Sequence, residues 1–378
     1  MKYPRPSFLL VSGLLLAAGA AQAGRTLTLT YSLGSTVTHD ANLYRLAPGV
    51  DPQATIGSSD KSDTVTTTSI GIVADKEFGI QRLKLDLRLN NSRYRRFSQL
   101  DNEGYSHSGT WQWALGRRLH GGLSYSRSSQ LSSFVDTLQT SRSINTRTAY
   151  RGNAHFQVAP DWDLFGGLGQ EESVESAANR QSSNYTNHTF DAGLRHASTA
   201  GHQLALLWRR IDSEETRQDD IEVSGVYAWS AMTRLSGAVG RSRRLADGSA
   251  SSGATGRLNL DWNPSPKLRF NLAARQEISA AANDFSTTTD ARGLVFGASW
   301  APTSKTRLQF SLDRTTKKYT NDTFPRLDHL RNIGLALFYQ PDHWLSLSLS
   351  LRDEDRDSNL PGYTYRDRLA AAALQFAF

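Results

Sequence analysis

The chain has 378 residues, no cysteine, a formal net charge of +7 and a mean hydropathy of −0.48. The absence of cysteine excludes disulfides, thiolate-bound zinc, iron–sulfur clusters and thiol nucleophiles. The basic charge would suit a nucleic-acid binder, but the export signal at the start of the chain excludes nucleic acid as a partner. Anionic molecules of the cell envelope are the expected partners instead.

The first 23 residues read as a secretory signal peptide. Lys2 and Arg5 precede an apolar run over residues 8–18, and a small-residue cleavage site ends at Ala23. The apolar run is shorter than the roughly 20 residues that a membrane-spanning helix needs. We therefore expect cleavage after Ala23 and a single mature domain over residues 24–378.

Apolar and polar residues alternate through nearly the whole mature chain. The pattern begins with Leu27, Leu29, Tyr31 and Leu33 and returns, for example, in the leucines of residues 345–351. Period-two alternation is typical of strands whose two faces meet different environments. A low mean hydropathy is compatible with this, because polar lumen-facing residues offset lipid-facing ones. The predicted fold class is an all-β, transmembrane, antiparallel up-and-down barrel.

Two kinds of connector alternate along the chain. Tight turns, often with Pro and Trp, lie near residues 78, 119, 159–162, 200, 230, 263–267, 301–305 and 340–344. Looser polar connectors cover residues 39–64, 98–104, 136–141, 175–184, 215–219, 246–251, 282–287, 320–328 and 357–363. Since outer-membrane barrels have short periplasmic turns and longer external loops, the tight turns should be periplasmic. The resulting estimate is about 18 strands, with 16 also possible, an even number as such barrels require.

Aromatic residues predict two membrane interfaces. Those near the tight turns are Trp113, Trp162, Trp229, Trp262, Trp300 and Trp344. Those near the long connectors are Tyr94, Phe97, Tyr105, Phe134, Tyr185, Phe285, Tyr319, Phe324 and Tyr365. At the end of the chain Leu374, Phe376 and Phe378 alternate with other residues and resemble the terminal signature recognised by the outer-membrane barrel assembly machinery.

If the apolar stripe faces lipid, the opposite stripe lines the lumen. Its predicted basic members are Lys84, Arg88, Arg147, Arg151, Arg195, Arg209, Arg234, Arg257, Arg269, Arg275 and Arg307. The acidic members form a smaller set, namely Asp86, Asp191, Asp261, Glu277 and Asp313. A basic surplus would attract anions, since barrels of this size enclose an aqueous channel. Alternatively, these charges pair across strands and contact no solute.

No constellation for catalysis, metal or cofactor stands out. The histidines are scattered, no nucleophile or metal motif is present, and glycines 166, 167 and 169 lie within a strand pattern. The sequence therefore predicts no catalytic residue, no metal, no cofactor and no enzyme.

One segment near the mature N-terminus carries a family resemblance. Asp40, Asn42, Leu43, Tyr44 and Arg45 resemble the Asp-x-Asn-Leu-Phe-Arg-Leu stretch of EpsL-type outer-membrane proteins from exopolysaccharide loci, with Tyr44 in place of Phe. The resemblance implies passage of a secreted polysaccharide through the outer membrane, with periplasmic export proteins as partners. From the residues alone, Asp40 and Asn42 can also simply hydrogen-bond their own backbone and shape the loop.

Several functions therefore remain open. Polysaccharide export is the leading hypothesis, and a general or anion-selective diffusion porin is the alternative, with the long 39–64 connector as a candidate constriction loop. A third hypothesis is a barrel sheath around a periplasmic, haem-carrying partner. The least favoured hypothesis is an enzyme, an outer-membrane lipase or deacylase. The expected location is the outer membrane, in contact with lipid and lipopolysaccharide.

Overall fold

Eighteen antiparallel strands form the molecule, in a computed structural model that describes residues 27–214, 216–246, 249–279, 288–320 and 325–378. The predicted signal peptide, Phe285 and Phe324 lie outside these residues. The strands are β1 Thr28–Asp40, β2 Asp63–Phe78, β3 Gln81–Tyr94, β4 Asn102–Leu115, β5 Leu119–Leu131, β6 Ile144–Ala159, β7 Trp162–Glu175, β8 Tyr185–Ala197, β9 Gln203–Asp212, β10 Thr216–Ala228, β11 Thr233–Ala246, β12 Ser249–Ser265, β13 Leu268–Ser279, β14 Thr288–Trp300, β15 Thr306–Thr320, β16 Arg326–Asp342, β17 Leu345–Ser358 and β18 Tyr365–Ala377.

Each strand pairs with the next along the chain, and β1 pairs with β18 to close the sheet. The closing register runs from Ser32 opposite Ala377 to Asp40 opposite Leu369. Closure leaves no sheet edge, which is the condition for a sheet to lie in hydrocarbon, where no water satisfies backbone N–H and C=O groups. The predicted fold class and the count of 18 strands are thus confirmed.

The two faces of the wall divide as the alternation predicts. On β17 the exposed Leu347, Leu349 and Leu351 point outward, while Ser348 and Ser350 point into the lumen. Above Leu351 the outward positions become Asp353 and Asp355. The outer surface therefore has an apolar band on the short-turn side and a charged zone toward the long loops, as in a barrel embedded in the outer membrane.

The tryptophan girdle lies where the sequence predicts it. Trp162, Trp229, Trp262, Trp300 and Trp344 are exposed beside the short turns. The expected second girdle is wrong for four of its seven described members. Phe97, Phe134, Tyr319 and Tyr365 are buried, because they pack against loops and charged groups within the wall rather than against lipid.

Helical structure is confined to the loops. The first long loop contains the five-residue helix α1, Pro52–Ile56, and short 3₁₀ segments occupy Ser98–Leu100 and Ala178–Ser183. Within the described ranges, no helix has the length and apolar composition to cross a membrane. Leu374, Phe376 and Phe378 lie on the outward face of the closing strand and beyond its end. Their recognition by the assembly machinery stays a prediction.

The lipid-facing assignment predicts a large difference between neighbouring substitutions on β17. Leu349→Arg places a charge in the apolar band and should lower the free energy of unfolding by about 2–4 kcal/mol. Ser350→Arg points into the lumen, opposite Ala336 and Ala371 in the register, and should change it much less. Urea unfolding in lipid vesicles measures both, and equal losses would contradict the assignment of faces.

Candidate functional site

Three loops pack together at the long-loop end of the barrel, which the outer-membrane orientation makes extracellular. They connect β1 to β2, β3 to β4 and β5 to β6, and they bury Tyr44, Leu46, Phe97, Leu100 and Phe134 in one apolar cluster. The Tyr44 ring lies 5.0 Å from that of Phe97, edge to face, and 4.6 Å from that of Phe134, centroid to centroid. Aromatic pairs in this geometry add to the stability gained by burial. The loops therefore form one folded cap.

Tyr44 is the centre of this cap. Burial raises the pKa of its phenol above the usual value, because desolvation disfavours the phenolate. The hydroxyl accepts a 3.4 Å hydrogen bond from the amide of Gln99. The ring therefore stays neutral, as its apolar surroundings require.

The segment that carries the family resemblance is a tightly bonded corner. Asn42 is fully buried, and its side chain accepts from the backbone N–H of Leu46 and donates to the carbonyl of Leu46, both at 2.9 Å. The backbone N–H of Asn42 donates to Asp40 at 2.9 Å. Leu43 packs beside the apolar cluster. Asp40 and Asn42 thus hold the backbone of this turn.

Arg45 ties the same corner to the barrel wall. It adopts a left-handed φ of +57° and contacts Asp40 and Asp367 at 3.0 Å and Glu354 at 3.4 Å. The left-handed conformation is uncommon for a residue with a Cβ, so the three carboxylates must outweigh its cost. The side chains of the family-like segment therefore form hydrogen bonds and ion pairs within the protein, and these contacts stabilise the corner.

The loop of residues 132–143 reaches across the lumen to the wall at β16 and β17. Asp136 of this loop lies 2.9 Å from Arg356 and 3.7 Å from Arg326, and the backbone carbonyl of Val135 accepts from Arg356. Asp328 completes the group with close bonds to both arginines. We call Asp136, Arg326, Asp328 and Arg356 the loop clamp. The sequence favoured the first long loop as constriction. Instead the loop after β5 crosses the channel, and the first loop packs on it.

The wall members of the loop clamp, Arg326, Asp328 and Arg356, are shielded from water, whereas the Asp136 side chain is 30% exposed. Arg356 and Asp328 have 0% exposed side chain, and the Arg326 guanidinium lies 3.6 Å from the Tyr363 ring centroid and 4.4 Å from that of Tyr319. Losing one partner of such a buried group leaves an uncompensated charge, which typically costs about 3–5 kcal/mol. The loop is therefore held firmly in the lumen.

Below the crossing loop lies a luminal cavity of 1940 Å³. The loop side contributes Asp136 and Leu138, and the wall contributes Arg209, Arg257 and Arg275. The cavity exceeds the roughly 300–1,000 Å³ of a typical ligand pocket, so small solutes can enter it, and it shares its walls with the rest of the channel.

The register places the predicted basic positions on the luminal face. Four of the arginines form ion pairs of 2.6 Å there, as the pairing alternative expected: Arg147 with Glu171, Arg151 with Asp191, Arg195 with Asp163 and Arg257 with Glu222. Lys84 lies opposite Asp75 in the register. The members with no ion-pair partner among the described residues are Arg88, Arg209, Arg234, Arg269, Arg275 and Arg307. That any of these contacts a solute stays a prediction.

The luminal surface also carries acidic positions that the sequence reasoning left out. They include Asp63, Asp75, Asp163, Glu171, Glu175, Asp220 and Glu222, all on the inward face by the register. The basic surplus of the lumen is therefore smaller than expected. The acidic and basic luminal residues differ in how often they are paired, because most of these carboxylates contact an arginine or a hydrogen-bond donor.

The loop clamp is the functional element that the sequence analysis missed. Arg326 and Asp328 stand two residues apart at the tip of β16, which signals a shared face, but nothing near Asp136 indicates that its loop crosses to them. Within the described ranges, no group of three or more metal-ligating side chains is arranged to hold a metal.

No protein-family model matches the chain, and no curated protein matches it either. Solved outer-membrane structures do. OccK2 (OpdF) of Pseudomonas aeruginosa aligns with a TM-score of 0.56 and 12% identity over 93% of this chain and 97% of that one. OpdK of P. aeruginosa aligns with a TM-score of 0.54 and 9% identity over 93% of this chain and 99% of that one. A BenF-like porin of Pseudomonas fluorescens Pf-5 aligns with a TM-score of 0.54 and 11% identity over the same shares of the two chains. At these identities the likeness concerns the fold.

These comparisons correct the expected function. The chain is similar to porins, which are channels and not enzymes, and the EpsL-type identity finds no support among them. Polysaccharide export is contradicted, because the similar structures are porins and because a loop held by buried ion pairs crosses the lumen. In this chain, Asp40 and Asn42 of the short resemblance hold the bonded corner.

The crossing loop predicts a channel whose width depends on the loop clamp. Asp136→Asn removes the charge that Arg356 holds and should raise single-channel conductance or add open levels, as the loop leaves the lumen more often. Asp60→Asn removes an ion pair to Arg96 in an exposed loop and should leave the conductance unchanged. Planar-bilayer recordings compare the two, and an unaltered Asp136→Asn channel would speak against the clamp.

Proposed function

We propose that the protein is an anion-selective diffusion porin for small organic anions. The observation that carries this proposal is a row of luminal arginines on alternate strands. We call Arg209, Arg234, Arg269, Arg275 and Arg307 the wall arginines. They lie on β9, β11, β13 and β15, and no ion pair engages them among the described residues.

The wall arginines extend from the cavity to the periplasmic mouth. Arg209 and Arg275 line the cavity beneath the crossing loop. Arg234, Arg269 and Arg307 are each the second residue of a strand that starts at a short turn. A solute anion that passes the loop therefore meets basic groups along its path, and a low-dielectric wall strengthens their field.

The carboxylates of the same wall are engaged more often than its arginines. Glu222 binds Arg257 at 2.6 and 2.7 Å, Asp220 accepts from Gln218 at 3.0 Å, and Asp261 accepts from Asn271 at 2.8 Å. An engaged carboxylate presents less of its charge to a passing solute. The result is a positive surface even though both signs are present.

The solutes that best fit this surface are small carboxylates. A structure similar to this chain is that of OpdK with vanillate, and another is that of OccK2 in complex with glucuronate. Both compounds carry a carboxylate, the group that a guanidinium binds in bidentate geometry. By analogy, we infer that carboxylates of this size pass the lumen of this protein.

Selectivity should depend on the wall arginines. The double variant Arg209→Gln/Arg275→Gln removes two cavity charges and should lower the anion-to-cation permeability ratio about threefold, since paired luminal charges cannot replace them. The control Arg210→Gln/Arg217→Gln removes two arginines of the outward face and should leave the ratio unchanged. Reversal potentials in a salt gradient report the ratio. A cation-selective wild type would refute the proposal.

Transport should favour a charged sugar over its neutral relative. Liposomes containing the wild-type protein should swell faster in glucuronate than in glucose, because the wall arginines concentrate the anion. The Arg209→Gln/Arg275→Gln variant should lose this preference while still admitting glucose. Equal rates for both solutes in the wild type would indicate a general pore instead.

A further inference from the structure

We infer a lipid-binding site on the outer face of β11–β15, independent of the transport proposal. It accommodates a phosphorylated lipid of the outer leaflet, with the phosphate at Arg292 and Arg314 and one acyl chain in the groove below them. The lipid chemistry is that of lipid A, the phosphorylated and acylated anchor of lipopolysaccharide.

The groove is a depression of 830 Å³ in the lipid-facing surface. Its floor consists of small outward residues on adjacent strands, Gly237, Gly256 and Ala274. Leu258 and Leu294 form part of its sides. A linear hydrocarbon chain fits such a floor, because small side chains leave a channel that the neighbouring leucines border.

Two arginines line the same groove at its upper end. Arg292 and Arg314 both belong to its lining and point outward, since the inward partners at this level are Gly293 and Thr315. Arg314 has no ion pair among the described residues, and Arg292 only a 3.8 Å approach to Asp290. Arg241, Arg243 and Lys318 extend the basic surface toward the loops on the same outward face.

On the strands that flank this face, the outward charges neutralise each other. On β16–β18 Arg366 contacts Asp355 at 2.7 Å, and Arg368 contacts Asp353 at 3.2 Å. On β9 and β10 the contacts are Arg210 with Asp219 at 2.8 Å and Arg217 with Asp212 at 2.9 Å. The face of β11–β15 therefore carries a basic excess that its neighbours lack, and an anion would complement it.

The height of the arginines identifies the anion as a lipid headgroup. On β14 the outward residues below Arg292 are Leu294, Phe296, Ala298 and Trp300, which form the apolar band. Arg292 thus lies where this strand leaves hydrocarbon on the loop side, at the level of the outer-leaflet headgroups. A free phosphate ion would contact only the two arginines. A phosphorylated, acylated lipid would contact the arginines with its phosphate and fill the groove with an acyl chain.

Lipid A binding to the full-length protein tests the site, measured by native mass spectrometry after removal of bound lipid. Wild type should bind bisphosphorylated lipid A about tenfold more tightly than dephosphorylated lipid A, as expected for two phosphate contacts. Arg292→Gln/Arg314→Gln should abolish this preference. Arg210→Gln/Arg217→Gln should retain it, because those arginines are paired. Circular dichroism verifies that each variant is folded.

A groove-filling variant separates the two halves of the site. A Cβ at Gly256 meets only the carbonyl oxygen of Ala238, at 3.4 Å, so Gly256→Leu can fold and fills the groove. It should weaken binding of both lipid A forms. The inference is overturned if Arg292→Gln/Arg314→Gln binds like wild type, if the control loses as much, or if inorganic phosphate displaces lipid A as well as excess lipid A does.

Discussion

Backbone hydrogen bonding in hydrocarbon is the constraint on which the rest of this structure depends. Every N–H and C=O inside the bilayer must find a partner in the sheet, and the pairing of β1 with β18 provides the last of them. A closed sheet has only two faces, and the side-chain period of two assigns each residue to one of them. The positions of Arg275 and Arg292 in their strands therefore determine that Arg275 faces the lumen and Arg292 faces the exterior.

Within the lumen, the same closed wall brings charges of opposite sign together at fixed spacing. Arg195 contacts Asp163 on the neighbouring strand, and Arg151 of β6 reaches past β7 to Asp191 of β8. The charges of each pair cancel most of each other's field. The field that a solute meets then comes from arginines that form no ion pair among the described residues, such as Arg269 opposite Ser299 and Arg209 opposite Asp220. Selectivity thus depends on which arginines are paired, and the number of arginines matters less.

Features that recur with every hairpin can be predicted from the sequence, whereas contacts that occur once, between distant loops and strands, cannot. Alternation along each strand, Pro-containing turns and tryptophans beside them predict the strands, their number and the periplasmic side, because each signal recurs with every hairpin. The partner of Asp136 cannot be read this way, since Arg356 lies 220 residues away and only loop geometry joins them. For the same reason Phe134 and Tyr319 were assigned to a lipid girdle, although both are buried. At the corner around Asn42 the opposite happens: a motif that suggested a function in the sequence is explained by hydrogen bonds within the corner.

Strand number determines the circumference of the wall but not the width of the opening. The expectation of a polysaccharide conduit rested on the family-like segment, on the basic interior and on a wide pore inferred from about 18 strands. The wide pore follows only if the lumen is empty. Here Arg356, which pairs with Asp328 in the wall, binds Asp136 and the carbonyl of Val135 and so anchors a loop inside that wall. Because Arg356 is desolvated, the loss of a partner is costly. Aperture and charge are therefore carried by different residues, the loop clamp and the wall arginines. In the proposed porin, a change in this one loop would alter the size cutoff and leave the wall arginines in place.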